Sequence, residues 1–285
     1  MRIWIAGVVV LGILAAGAYG LRQGTPQDVV DAVRTGDVEA LQAALRRDPA
    51  SARTKVYGQA YETRAGRIAA RTRTGQDPWE GRYLIHDAVE FAPDPRPVLE
   101  ALAAGGADLA VRLHGRTLLH LAAAKGDVDV AAWLLDHGAD PHAGIECDDG
   151  CAERGYTPLH SGLAVRDEEM TALLLARGAP IEAAGADGRT AMHVAARGKL
   201  SGALVLARHG ADLARTDAAG KTPYELAREL PPGAAPDTAD VAAFARWFAP
   251  GGPFAAVSAM ARATGTPISD DEARAVMASI GTTPP

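Results

Sequence analysis

The chain has 285 residues, enough for one or two domains with a sizeable core. Hydrophobic residues make up 48% and charged residues 22%, which excludes an intrinsically disordered chain. A net charge of −6 argues against nucleic-acid binding over the whole surface, and 5% aromatics with abundant alanine favour close-packed helices over a β-sandwich.

The N-terminus comes first in chain order. After the positive Arg2, no charge occurs from Ile3 to Leu21. Two readings stand side by side for residues 1–26: a signal peptide with Ala16-Gly17-Ala18 as its small-residue cleavage site, or an N-terminal membrane anchor. Both export the rest of the chain. The expected location is the bacterial periplasm, anchored to the inner membrane or released after cleavage, with membrane contact only through this segment. Residues 51–82 are next to stand out. They carry Arg53, Lys55, Arg64, Arg67, Arg71, Arg73 and Arg82 against Glu62, Asp77 and Glu80, with Tyr57, Tyr61 and Trp79 interleaved. This reads as an inserted loop.

Four segments then align: YLIHDAVEF (83–91), RTLLHLAAAKGD (116–127), YTPLHSGLAVRD (156–167) and RTAMHVAARGK (189–199). Each has a histidine at the same place, His86, His120, His160 and His193, and each is followed by an apolar stretch and a Gly-Ala pair. A fifth start, KTPYELARE (221–229), puts Glu225 where the histidine would be. Leu119, Leu121 and Ala122 share one helical face, and Val130, Trp133 and Leu134 share another, with Gly126 between the two helices. Gly138 falls where a helix must stop. Neither helix pair can bury its face alone, so the units must stack.

The period, the T-P-L-H start and the Gly-Ala-Asp end resemble the ankyrin-repeat family. The resemblance covers roughly residues 27–230, apart from the insertions at 51–82 and 144–155, with DVVDAVRTGDVEALQAALRRDPA (28–50) as an N-terminal capping repeat. It implies an all-α solenoid of helix-turn-helix units with hairpin fingers. It also implies that His86, His120, His160 and His193 are structural, hydrogen-bonding across the turn before the first helix. His137 and His209 precede Gly-Ala-Asp at a helix C-terminus, where the dipole favours a basic side chain; His114 and His142 stay unassigned. No phosphate loop, G-x-S-x-G elbow or H-E-x-x-H is present, so no catalytic residue and no cofactor is expected.

Both cysteines, Cys147 and Cys151, lie in GIECDDGCAERG (144–155). From Gly138 to Thr157 is seven residues longer than the corresponding spacing in the units that follow. Asp148-Asp149-Gly150 suits a three-residue hairpin loop with Gly150 left-handed, which sets the cysteines opposite each other for a disulfide. In an exported protein that is the default outcome. Haem attachment needs C-x-x-C-H. Zinc could recruit His142 with the cysteines, but a fourth ligand is not evident. Calcium could use Glu146, Asp148, Asp149 and Glu153, without EF-hand spacing. No metal is therefore expected.

After a break at PPGAAP the tail, 231–285, reads as a helical cap: Val241, Phe244, Ala245 and Phe248 at helical spacing, Pro253 opening a second helix, and Ser269 with Glu272 forming a capping box for a third. In the ankyrin family, partners meet the finger tips and the inner face of the first helices. Arg82, Arg116, Tyr156, Arg189 and Lys221 precede the start motifs, and Arg112, Lys125, Arg197 and Arg215 lie nearby. This basic ladder predicts capture of an acidic protein partner by a monomer. The expected function is non-catalytic protein binding, in immunity against a toxin or in protection of an envelope enzyme. The alternative is a redox- or metal-responsive protein acting through Cys147 and Cys151.

Overall fold

The computed structural model describes residues 27–56, 82–147, 151–163, 168–197, 200–229, 244 and 246–279. The N-terminal stretch Ile3–Leu21 and the loop tip 148–150 lie outside the described residues. Among the described residues no helix is long and apolar enough to cross a membrane. The chain divides into two compact units, Met1–Asp108 and Leu109–Pro285.

The first unit holds α1 (Gln27–Thr35), α2 (Val38–Arg47), a 3-10 turn (Pro49–Arg53), α3 (Leu84–Phe91) and α4 (Pro95–Ala104). Gly36, at φ 75°, reverses the chain between α1 and α2, and the Asp37 carboxylate then caps α2 by accepting from Ala40 N at 2.9 Å. α1 packs on α3 and α2 on α4. The shared interior is aliphatic: Val29, Val33, Leu41, Leu45, Leu84, Ile85, Val89, Val98, Leu99 and Leu102 are all buried.

The insertion expected over 51–82 is narrower than its sequence suggests. Ser51, Ala52 and Val56 are buried, Val56 N donates to Arg82 O at 2.8 Å, and Lys55 bridges Tyr83. Those residues belong to the fold because their backbone closes onto the start of α3. Tyr57, Tyr61 and Trp79 lie outside the described residues.

The second unit begins with a hairpin, β1 (Arg112–Leu113) and β2 (Arg116–Thr117). Its two-residue turn, His114-Gly115, has both φ angles positive, 49° and 76°, the twist a tight hairpin needs. This gives His114 a place as a turn residue. Three helix pairs follow: α5 (Leu118–Lys125) with α6 (Val128–Asp136), α7 (Pro158–Gly162) with α8 (Glu168–Ala176), and α9 (Ala191–Ala195) with α10 (Leu200–Arg208). α5, α7 and α9 stack as one row and α6, α8 and α10 as a second. Gly126 (φ 77°), Gly138 (φ 85°), Gly178 (φ 82°) and Gly210 (φ 83°) supply the left-handed stops.

α11 (Pro223–Glu229) continues the first row on α9. The second row is continued by α12 (Pro253–Thr264), which packs on α10, and α13 (Asp270–Ser279) then covers α12. Ser258 Oγ donates to Ala211 O at 2.5 Å, Ile268 N donates to Arg208 O at 2.9 Å, and Arg262 pairs with Asp212 at 2.8 Å. Arg208 also pairs with Asp270. The helices opened by Pro253 and by the Ser269–Glu272 box are present; Ser269 N donates to Glu272 at 2.9 Å. The first of them stands where the outer helix of a fifth repeat would stand.

Candidate functional site: the finger row of the second unit

Each start motif builds the same small machine. The threonine before the helix offers its backbone N–H to histidine Nδ1 three residues on: Thr117 to His120 at 3.2 Å, Thr157 to His160 at 3.1 Å, Thr190 to His193 at 3.1 Å. In the first unit Tyr83 does the same to His86 at 3.0 Å. An accepting Nδ1 leaves the proton on Nε2. That N–H reaches the carbonyl just before the next threonine: Tyr156 O from His120 at 2.9 Å, Arg189 O from His160 at 3.2 Å, Lys221 O from His193 at 3.1 Å. One ring thus ties a helix cap to the neighbouring finger. All three imidazoles are buried. Burial lowers His120 and His160 to about 4, against the opposing pull of their carbonyl partners, and it lowers His193 as well. Glu225 takes over the capping half alone, accepting from Thr222 N at 2.8 Å; that bond holds its carboxyl below the usual range. His137 and His209 instead meet the carbonyls of Trp133 and Val205, each at 2.8 Å, in the last turn of α6 and α10.

The fingers are joined edge to edge. Glu146 N donates to Gly115 O, Ala186 N to Arg154 O, and Ala218 N to Asp187 O, at 3.0, 2.8 and 2.9 Å. Each turns on a left-handed glycine, Gly115, Gly155, Gly188 and Gly220. In the long finger this residue is Gly155, and Ile145 pairs with Tyr156 across its base. The extra residues therefore lie on the incoming strand, ahead of the finger's ordinary turn. The expected left-handed turn at Gly150 lies outside the described residues. Cys147 and Cys151 are bonded, with Cα atoms 6.0 Å apart. Two ion pairs flank the staple, Arg112–Glu146 at 3.1 Å and Arg116–Glu153, so the preceding finger grips it on both sides.

One rung of the predicted basic ladder, Arg82, is corrected by these contacts. Arg82 is buried, held by Asp87 at 2.5 Å and Glu90 at 2.6 Å, because α3 turns both carboxylates onto it; it cannot meet a partner at a finger tip. Arg112 and Arg116 are engaged by the glutamates of the long finger, Lys221 pairs with Glu229, and Arg215 lies 3.5 Å from Glu182. Tyr156 is half-buried, stacked on His160 and donating its hydroxyl to Asp187 at 2.9 Å; burial first, then that bond, raises it to about 12. Arg189 lies between Asp187 and Asp217, 3.6 Å from each through Nε. Lys125 and Arg197 are exposed at the ends of their helices. Arg112, Arg116, Arg189, Arg215 and Lys221 are thus each faced by a carboxylate the chain supplies itself.

Among the described residues, no group of three metal-ligating side chains converges. Two clefts among the described residues are open. One, about 540 Å³, runs between the ends of α8 and α10 and the tail, past Glu182, His209, Asp212 and Arg262; another lies beside Asp127, Asp129 and Glu169.

Stacked helix pairs, left-handed glycine stops, and fingers latched by a buried imidazole define a helical-repeat solenoid whose surface is a row of loops. The chain carries ankyrin repeats: residues 114–144 match the model for the ankyrin repeat, and 142–217 match that for ankyrin repeats in three copies. It is similar to the mouse B-cell lymphoma 3 protein homolog, 33% identical over 152 residues, which cover 52% of this chain and 33% of that protein. It is also similar to the chicken nuclear factor NF-kappa-B p105 subunit, 33% identical over 135 residues, 46% of this chain and 13% of that one. The matches span a third or less of these relatives' length.

Proposed function

We infer that the chain is a non-catalytic protein-binding module that acts outside the cytoplasm, in the periplasm, gripping a partner through the finger row and the inner face of α5, α7, α9 and α11. Ankyrin repeats mediate protein–protein interaction. The observation that carries the more specific reading is the long finger: a disulfide and two flanking ion pairs hold the base of a loop where repeats of this kind meet partners. A disulfide persists in an oxidising compartment, which agrees with the uncharged Ile3–Leu21 stretch that reads as a signal or anchor. Neutralising a toxin and protecting an envelope enzyme are the roles that fit. The test is in-cell crosslinking through a photoreactive residue at position 154, followed by mass spectrometry, with cell fractionation alongside. One dominant crosslinked envelope protein supports the reading, and a purely cytoplasmic pool overturns the location.

A second reading rests on the same cysteines: a redox-responsive protein whose finger loosens when the bond between Cys147 and Cys151 is reduced. Non-reducing intact mass and metal analysis on protein taken directly from cells separate the two. A constant two-proton deficit without metal favours the staple.

A further inference from the structure

The finger row ends differently from the way it runs. Finger by finger, a carbonyl at one turn takes an N–H from the next: Gly115 O from Glu146, Arg154 O from Ala186, and Asp187 O from Ala218. Arg154 and Asp187 each stand just before a left-handed glycine, and in the last finger, 217–221, that place belongs to Ala219, before Gly220. Among the described residues, nothing donates to Ala219 O. The glycines mark the same break. A Cβ on Gly115 or Gly188 would run into the backbone of the following finger, at Glu146 and Ala218, and one on Gly155 would touch Gly185. One on Gly220, at φ 76°, would meet nothing within 4 Å among the described residues. The ring latch stops here too, since Glu225 caps Thr222 and has no Nε2 to send to a further finger. The N–H groups of this finger are all bonded back into the chain. Asp217 N donates to Lys221 O, Ala218 N to Asp187 O and Gly220 N to Asp217 O, each at 2.9 Å; Ala219 N and Lys221 N donate to Asp217 Oδ1 at 2.9 and 3.0 Å. Ala218, Ala219 and Gly220 are exposed and carry nothing larger than a methyl group.

We propose that the last finger is an open backbone edge that takes an extended, uncharged segment of the partner protein, one main-chain N–H of which donates to Ala219 O. This deepens the protein-binding reading above and rests on it. The segment would repeat the contact that each finger already makes with the next, with main-chain bonds giving the affinity. The one-sidedness of the edge selects the occupant. It offers an acceptor and no N–H, so a second copy meeting it across a two-fold axis would set carbonyl against carbonyl. Sheet edges that must stay unpaired are shielded by a charged side chain or a proline. Ala218-Ala219-Gly220 has neither, and the charges around it are held within the chain: Lys221 by Glu229, Arg215 by Glu182, and Arg189 by Asp187 and Asp217. A neutral segment with small side chains can approach such an edge as closely as Ala218 approaches Gly188.

The experiment pans a display library of linear peptides against the full chain and measures the recovered binders by calorimetry. Each binder is then remade with single backbone N-methyl groups, and one such position should weaken it about tenfold or more by removing the donor. Gly220→Asn should weaken the binders about as much, because asparagine tolerates left-handed backbone while its side chain fills the edge. Ala219→Lys, which sets a charge on the same edge, serves beside it, with the fold of both checked by thermal melting. Gly138→Asn, at a left-handed glycine that also faces open space but lies at the end of α6, should change affinity by about twofold or less. Binders that ignore Gly220→Asn and Ala219→Lys but fail against Arg154→Glu overturn the edge and leave the protein-binding reading standing. Binders that tolerate every N-methyl group overturn main-chain addition. A dimer in sedimentation that Gly220→Asn dissolves gives the edge to a second copy and overturns the partner segment. A library that yields no binder overturns the protein-binding reading and the edge with it.

Discussion

Nε2 of His160 stands 3.2 Å from the carbonyl oxygen of Arg189, and Nδ1 of the same ring accepts from Thr157 N at 3.1 Å. The ring is a bridge only while it is neutral, since protonated Nδ1 would meet an N–H instead of offering it a lone pair.

Stability should therefore fall as the solution is acidified. His120 and His160 have folded values near 4 against an unfolded 6.5, so between those limits the unfolded chain binds more protons and stability rises with pH. Each ring contributes a loss of about 3 kcal/mol from above pH 6.5 to below pH 4, steepest at about 1.4 kcal/mol per unit. Denaturant midpoints at pH 8, 6, 5 and 4 measure it. A midpoint that stays level down to pH 4.5 would show that the rings are not buried in neutral form.

Two glycines that are both left-handed should respond differently to alanine. Gly138 (φ 85°) has open space where a Cβ would go, so Gly138→Ala costs only left-handed strain, about 1 kcal/mol. At Gly188 (φ 75°) the added carbon would press on the backbone of Asp217 and Ala218 in the next finger. Gly188→Ala should cost about 3 kcal/mol or more, because backbone cannot move aside. Urea titrations of both variants decide it, and equal losses would mean the fingers are not in contact there.

Breaking the staple should leave the fold standing. A five-residue ring restrains the unfolded chain by about 2 kcal/mol at most, so Cys147→Ser with Cys151→Ser should shift stability by that or less. Hydrogen exchange should quicken in 144–156 and in the hairpin 112–117 that grips it, while α5 and α7 stay protected. Unfolding of the helices on reduction would contradict this.

The buried ion group in the first unit should behave in the opposite way. Asp87 has no exposed side-chain surface and is held by Arg82 at 2.5 Å and Arg34 at 2.7 Å. Arg82→Met strands that carboxylate and should cost about 3–5 kcal/mol; Arg34→Met, at a half-exposed position, should cost less. A thermal melt that Arg82→Met leaves unmoved would show that Arg34 alone satisfies Asp87.

Much of this architecture was legible in the sequence because the repeat prints its own punctuation. Thr117, Thr157 and Thr190 with their histidines, Gly126 and Gly138 at helix ends, and Ser269 with Glu272 all act locally, within a few residues of one another. The contacts that engage the basic rungs are not local. Glu153 lies 37 residues from Arg116, and nothing in the spacing announces that they meet. Arg82 resembled its neighbours as a basic residue before a start motif, yet the burial of Asp87 pulls it inward. Tyr156 stands at the same position as Arg116 and Arg189, but its ring packs on His160.

The placement of α12 bears on where the chain can be shortened. PPGAAP looks like a seam after the last start motif. A protein ending at residue 230 would nonetheless keep α10 and discard α12, the helix that packs on it in the second row. Ala211 would lose the Ser258 hydroxyl, and Arg208 would lose both Asp270 and the Ile268 amide. α10 would be left with a bare flank. A shortened chain that keeps these contacts should therefore retain both α12 and α13.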